Sequence, residues 1–186
     1  MKIIYMLITF GYFQCVSKTQ ALYIYRLVKV ISCMKDRHVV LVDANFNNSS
    51  PYINETNRFI VYKDITPTMN ITIKPAVYMK KKENWDYLRT LSEKTVDLCK
   101  FLKQDIAILP IIQKFVSLPK ECPMEKSDQI ITKSQVPPML RPLVPIGCWK
   151  LKFEFFDTKK ILVGCINVIT LQSSVSELAS NEKTCN

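Results

Sequence analysis

Apolar and polar residues alternate between Met69 and Lys80. Met69, Ile71, Ile73, Val77 and Met79 share one parity, and Asn70, Thr72, Lys74, Tyr78 and Lys80 share the other. A period of two predicts a strand with one buried face. Pro75 has no N–H to give to a ladder, so an edge or a bulge is expected there. The run from Cys148 to Gln172 predicts a hairpin. Trp149, Leu151, Phe153 and Phe155 face one way, Lys150, Lys152 and Glu154 the other, and Asp157–Lys160 form a polar turn. If Phe156 stands opposite Ile161, Cys165 lies opposite Lys152. That is four residues from Cys148, ~13 Å along a strand and beyond disulfide reach.

Further strands are predicted at Tyr23–Cys33, His38–Phe46, Asn57–Ile65, Lys94–Phe101 and Asp128–Val136. Short strands separated by turn residues predict an all-β fold. We expect an immunoglobulin-like antiparallel β-sandwich or β-cup, linked by disulfides. One segment breaks the pattern. Ile108, Ile112, Phe115 and Val116 share a helical face, and Pro110 is tolerated only in a first turn. One short helix of two to three turns is therefore expected, either starting near Leu109 or with an earlier turn kinked there.

The N-terminus adds a compartment. Lys2 precedes an uncharged run from Ile3 to Phe13, then small and polar residues, the layout of a secretory leader. Cleavage after Ser17 is expected, with Ala21 a second option. The run falls short of the about 20 residues that a spanning helix needs. The expected division is a signal peptide at 1–17 and one secreted domain at 18–186. Losing Cys15 turns seven cysteines into six: Cys33, Cys99, Cys122, Cys148, Cys165 and Cys185. Six can pair completely in the oxidising secretory route. Glycan acceptor triplets at Asn47, Asn48, Asn54 and Asn70 point to the same extracellular destination.

Charge and chemistry narrow the function. Losing Lys2 lowers the formal charge from +10 to +9, but the lysines are scattered. The densest group, Met79–Arg89, has no recognition-helix character, so nucleic acid is not an expected partner. An anionic membrane surface is. The single histidine, His38, sits in no nucleophile motif. HxxH, HExxH, CxxC and G-x-S-x-G spacings are absent, as are Gly-rich phosphate loops. No enzyme activity, metal or cofactor is expected. Splayed sheets can hold a lipid with mostly apolar walls and a few polar groups at the mouth.

Three blocks carry a resemblance: Asp97-Leu98-Cys99-Lys100-Phe101, Cys122-Pro123 and Pro145-Ile146-Gly147-Cys148-Trp149. Together they resemble the insect-expanded DUF1091 family, and within it the CheB-type chemosensory proteins. These are considered distant relatives of the MD-2-related lipid-recognition domain and the GM2 activator protein. Glu125-Lys126-Ser127 stands where family members often carry Gly, and the tail to Cys185 also departs from the pattern.

The resemblance implies a secreted β-cup with an apolar interior, and a role in extracellular recognition of lipids or other small hydrophobic molecules, chemosensory or pheromone-related in some relatives. It also implies a Cys99–Cys122 bridge. Given that bridge and the hairpin register, Cys33 pairs with Cys148 or Cys165. Candidate wall residues are Ile71, Ile73, Val77, Phe101, Ile112, Phe115, Trp149, Phe153 and Val163, each of which also suits plain core packing. The alternative is a secreted interaction module with a solid core that modulates a receptor or channel, using the basic surface at Lys80, Lys81 and Lys82.

Overall fold

The computed structural model describes residues 22–34, 40–47, 57–90, 92, 94–105, 108–131, 135–141 and 143–185. The expected leader, His38, Asn48 and Asn54 lie outside these residues. Nine strands form one continuous, almost wholly antiparallel sheet. They are β1 (Tyr23–Ser32), β2 (Val42–Asn47), β3 (Arg58–Val61), β4 (Thr72–Lys81), β5 (Asn84–Tyr87), β6 (Val96–Asp97), β7 (Ser127–Ile130), β8 (Gly147–Phe156) and β9 (Leu162–Ser174). The order is β5-β4-β8-β9-β1-β2-β3-β7, with β6 beside β4.

The sheet turns a corner where β2 begins. Leu41 N–H donates to Val163 O at 2.7 Å, and Val42 pairs in parallel with Gly164. β2 then crosses onto β1, pairing Phe46 with Val30. A Cβ on Gly164 would lie 3.0 Å from Phe155 Cδ2 and 3.2 Å from Val42 O, so this close crossing needs glycine. The two layers enclose one core, built from both faces' inward residues, among them Leu27, Val42, Val61, Ile73, Phe153 and Ile166. The antiparallel cup expected from the alternating segments is therefore what forms.

Among the described residues three helices add to it: α1 (Leu98–Gln104), α2 (Leu109–Ile112) and α3 (Leu178–Cys185). Only one had been expected. The region read as a strand at Lys94–Phe101 pairs only at Val96 and Asp97. Asp97 Oδ1 then accepts from Lys100 N–H at 2.9 Å, and this side-chain cap starts α1. α2 begins at Leu109 with Pro110 in its first turn, the first of the two arrangements the sequence allowed, but is shorter than expected. β7 likewise ends at Ile130, short of the expected Val136.

Pro75 pairs with Phe153 of β8. Ile71 O accepts from Leu98 N–H, and Val77 N–H donates to Ser92 Oγ, so odd residues of β4 aim their polar groups away from β8. The missing N–H of Pro75 thus faces the gap between β6 and β5, an edge position.

The hairpin register is a correction. Phe156 pairs with Leu162 rather than Ile161, a bulge follows, and Cys165 stands opposite Glu154 rather than Lys152. Asp157 Oδ1 accepts from both Lys159 and Ile161 N–H groups at 2.8 Å, and Lys160 takes φ 61°, which lengthens the turn. The shift moves Cys165 further from Cys148, so the conclusion that these two do not bond stands. The bridges are Cys33–Cys165, Cys99–Cys122 and Cys148–Cys185. The last ties α3 onto the outer face of β8 and β9, beside Val28 and Leu171.

Candidate functional site: an apolar cavity under a tethered segment

Between the layers lies a cavity of about 70 Å³. Its floor comes from alternating residues of the central strands: Tyr25 and Leu27 of β1, Leu151, Phe153 and Phe155 of β8, Ile166 and Val168 of β9. β2, β3 and β4 add Val42, Ala44, Phe59 and Ile73. Its roof is the segment from α1 past α2, through Phe101, Leu102, Leu109, Ile112 and Phe115.

Local chemistry holds the roof down. Asp105 Oδ1 accepts from the N–H groups of Ile108 and Leu109, both at 2.7 Å, and so starts α2. Past α2 the chain keeps turning, with Phe115 N–H donating to Ile112 O at 2.9 Å. Gln129 of β7 clamps the far end: its Oε1 accepts from Ser117 N–H and its Nε2 donates to Ser117 O. The Cys99–Cys122 bridge closes the whole segment. Phe115 stacks on Tyr25 with centroids 6.0 Å apart.

The exposed cavity wall is wholly apolar. The hydroxyls of Tyr25 and Thr170, both in the lining, satisfy each other at 2.8 Å. Burial pushes the Tyr25 phenol up to about 12 despite the opposing pull of that hydrogen bond. An apolar wall of this kind suits a hydrocarbon. Among the described residues, no cluster of His, Cys, Asp and Glu could hold a metal ion.

The structure divides the nine residues named from the sequence. Ile73, Phe101, Ile112, Phe115 and Phe153 line the cavity. Ile71, Val77, Trp149 and Val163 are buried in the core outside the wall. Ile71 and Val163 instead border a more open groove with Leu41, Tyr62 and Met69, and the Trp149 indole N–H donates to Pro145 O. Sequence reasoning missed Leu27, Leu102, Phe59 and Ile166. The alternation of Tyr25, Arg26 and Leu27 could have pointed to Leu27. Leu102 was hidden by reading its helix as a strand.

Asn70 is exposed, but it closes a 3-10 turn at Pro67–Met69 with φ 46° rather than sitting in the strand. Asn47 is half-buried at the end of β2. Lys80 and Lys81 end β4 and Lys82 starts its turn into β5, where Lys81 pairs with Asp86 at 3.0 Å. Beside them Lys150 Nζ lies 4.4 Å from the Tyr78 ring centroid and 5.0 Å from that of Trp85. Desolvation, and secondarily Lys152, hold its pKa below the usual lysine value.

No helix among the described residues is long and apolar enough to cross a membrane. No curated protein matches the chain. Residues 73–151, from β4 into β8, match the family DUF1091, described as a protein of unknown function, and so carry the family signature to which the three sequence blocks pointed.

Proposed function

We propose that this protein is a secreted, glycosylated binder of a small hydrophobic molecule or lipid, acting in extracellular recognition of the chemosensory or pheromone kind. The observation that carries the reading is the wholly apolar cavity, walled by both layers and roofed by one tethered segment. The expected leader, the six cysteines left once it is removed and the acceptor triplets support secretion. The resemblance of the three sequence blocks to CheB-type proteins, and through them to MD-2-related proteins, is the ground for the ligand class proposed.

The cavity is small for this task. Its 70 Å³ is about half of the ~150 Å³ that admits benzene in an engineered apolar void. A ligand enters only as the roof rises and Phe115 leaves Tyr25. The small volume equally favours the second reading, a solid-cored interaction module acting on a receptor or channel.

The test separates the two. The secreted protein is titrated with an environment-sensitive apolar dye and assayed for bound lipid by native mass spectrometry. Ile112→Trp, which fills the void beneath the roof, should abolish dye binding while the fold is kept. A protein that is always isolated empty and takes no dye supports the solid module instead.

A further inference from the structure

Ten large hydrophobic residues are exposed among the described residues, and five of them gather at one end of the sheet. Leu140 is 63% exposed, and Leu22, Leu143, Ile146 and Val175 are each 43–45% exposed. Hydrogen bonds place them together. Tyr23 and Met139 exchange backbone bonds at 2.8 Å, seating the loop residues 137–141 and 143–146 on the start of β1. Val175 N–H donates to Leu22 O at 2.9 Å. Leu143 N–H donates to the Oε1 of Gln172, which is fully buried and whose Nε2 donates to Ile24 O. Trp149 anchors Pro145.

The loop is thus fixed at its base while its aliphatic side chains point to water. Pro137, Pro138 and Pro145 limit its freedom to fold them away. Scattered exposed leucines are ordinary, whereas a contiguous group marks a contact surface.

Charge at the same end selects the contact. Met79 pairs with Trp149 and lies next to Gly147, so the β4–β5 turn with Lys80, Lys81 and Lys82 stands beside the loop. Exposed Arg141 lies on the loop itself, and Lys150 follows at the start of β8. Glu83, Asp86 and Glu177 offset part of this charge, leaving a basic balance on a chain of formal charge +10.

From this juxtaposition we infer that the Leu140–Leu143–Ile146 loop, with Leu22 and Val175, docks this protein onto the surface of a lipid bilayer that carries anionic headgroups. The aliphatic tips enter the acyl boundary while the lysines meet the headgroups. The opposite end, with Asn70 and the Asp157–Lys160 turn, faces away from the bilayer, as a glycan on Asn70 requires. The docking does not depend on whether the cavity takes a ligand.

Flotation with vesicles of phosphatidylcholine alone, or with about a third phosphatidylserine, tests it on the secreted chain. Binding is expected to the anionic vesicles, weaker to the neutral ones, and to fall in high salt. Leu140→Asp with Leu143→Asp should weaken binding at least about tenfold. Lys81→Gln with Lys82→Gln should weaken it about fivefold per lysine. Ile161→Asp, at the opposite end and 50% exposed, should leave it unchanged. Leu140→Trp, which keeps the loop apolar, should be quenched by brominated acyl chains. Failure to float with anionic vesicles at low salt overturns the inference. So does an undiminished Leu140→Asp/Leu143→Asp variant, an equal loss in Ile161→Asp, or a Leu140→Trp that bromolipid does not quench. A dimer that dissociates in Leu140→Asp/Leu143→Asp, with no vesicle binding, would assign the surface to a second copy instead.

Discussion

Replacing both Cys99 and Cys122 by alanine tests how the roof is held. The bridge spans a sequence separation of 23 residues. The chain-entropy relation gives about 3.5 kcal/mol for a loop of that length. The same relation gives about 4 kcal/mol for Cys148–Cys185, 37 residues apart, and about 5 kcal/mol for Cys33–Cys165, 132 apart. In a chain of this size 1 kcal/mol moves Tm by about 2–4 °C, so the double alanine variant should melt about 7–14 °C lower.

Native contacts remain after the bridge is gone. The Asp97 cap, the Asp105 bonds and the Gln129 clamp still hold the segment. Most of the loss therefore sits in a more expanded denatured state, and the denaturant m-value should rise. Calorimetry with guanidinium titration measures both quantities. A roof that opens more often should also admit an apolar dye faster. A Tm within about 2 °C of the parent, with an unchanged m-value, would refute the view that this bridge stabilises by restricting the unfolded chain.

Other expectations rest on single residues. The raised Tyr25 pKa favours the folded state while the phenol is neutral, so that stability is present below pH 10 and lost as pH rises from about 10 toward about 12. The loss is about 3 kcal/mol, and Tyr25→Phe should flatten this alkaline limb in urea titrations. Phe115→Ala should cost about 3 kcal/mol, the low end for a buried phenylalanine, because the ring already borders a void. It should widen the cavity and raise dye occupancy, read by melting and fluorescence. Gly164→Ala should destabilise by about 1–3 kcal/mol, since the added methyl meets Val42 O, a backbone atom that cannot rotate away. Chemical denaturation checks it.

Much of the fold was legible in the alternation of β4 and of the β8–β9 hairpin, because one face of each is buried and the period is short-range. The Pro75 edge and the Pro110 first turn were legible for the same reason: each proline constrains its own backbone. The hairpin register was not, because one aspartate that accepts two N–H bonds lengthened the turn and a bulge absorbed a residue. α1 was missed because Val96–Phe101 reads as apolar and β-prone, whereas the Asp97 cap diverts it into a helix. The cavity wall was half legible. Parity separates inside from outside, yet Val77 and Trp149 share the inward parity of Ile73 and Phe153 without reaching the void. What divides them is height along the strand, which depends on where the roof lands.

The place of β9 carries a consequence for biosynthesis. It follows every other described strand in the sequence, yet it lies between β8 and β1 and touches β2 at the corner. As the chain leaves the ribosome, β1 waits more than a hundred residues for this neighbour, and Cys33 waits as long for Cys165. Cys99 and Cys122 can meet much earlier. The two halves of the cup therefore cannot be joined vectorially. Until residues 162–174 arrive, β1 and β8 stand as unpaired edges, the form in which sheet proteins are most prone to aggregate.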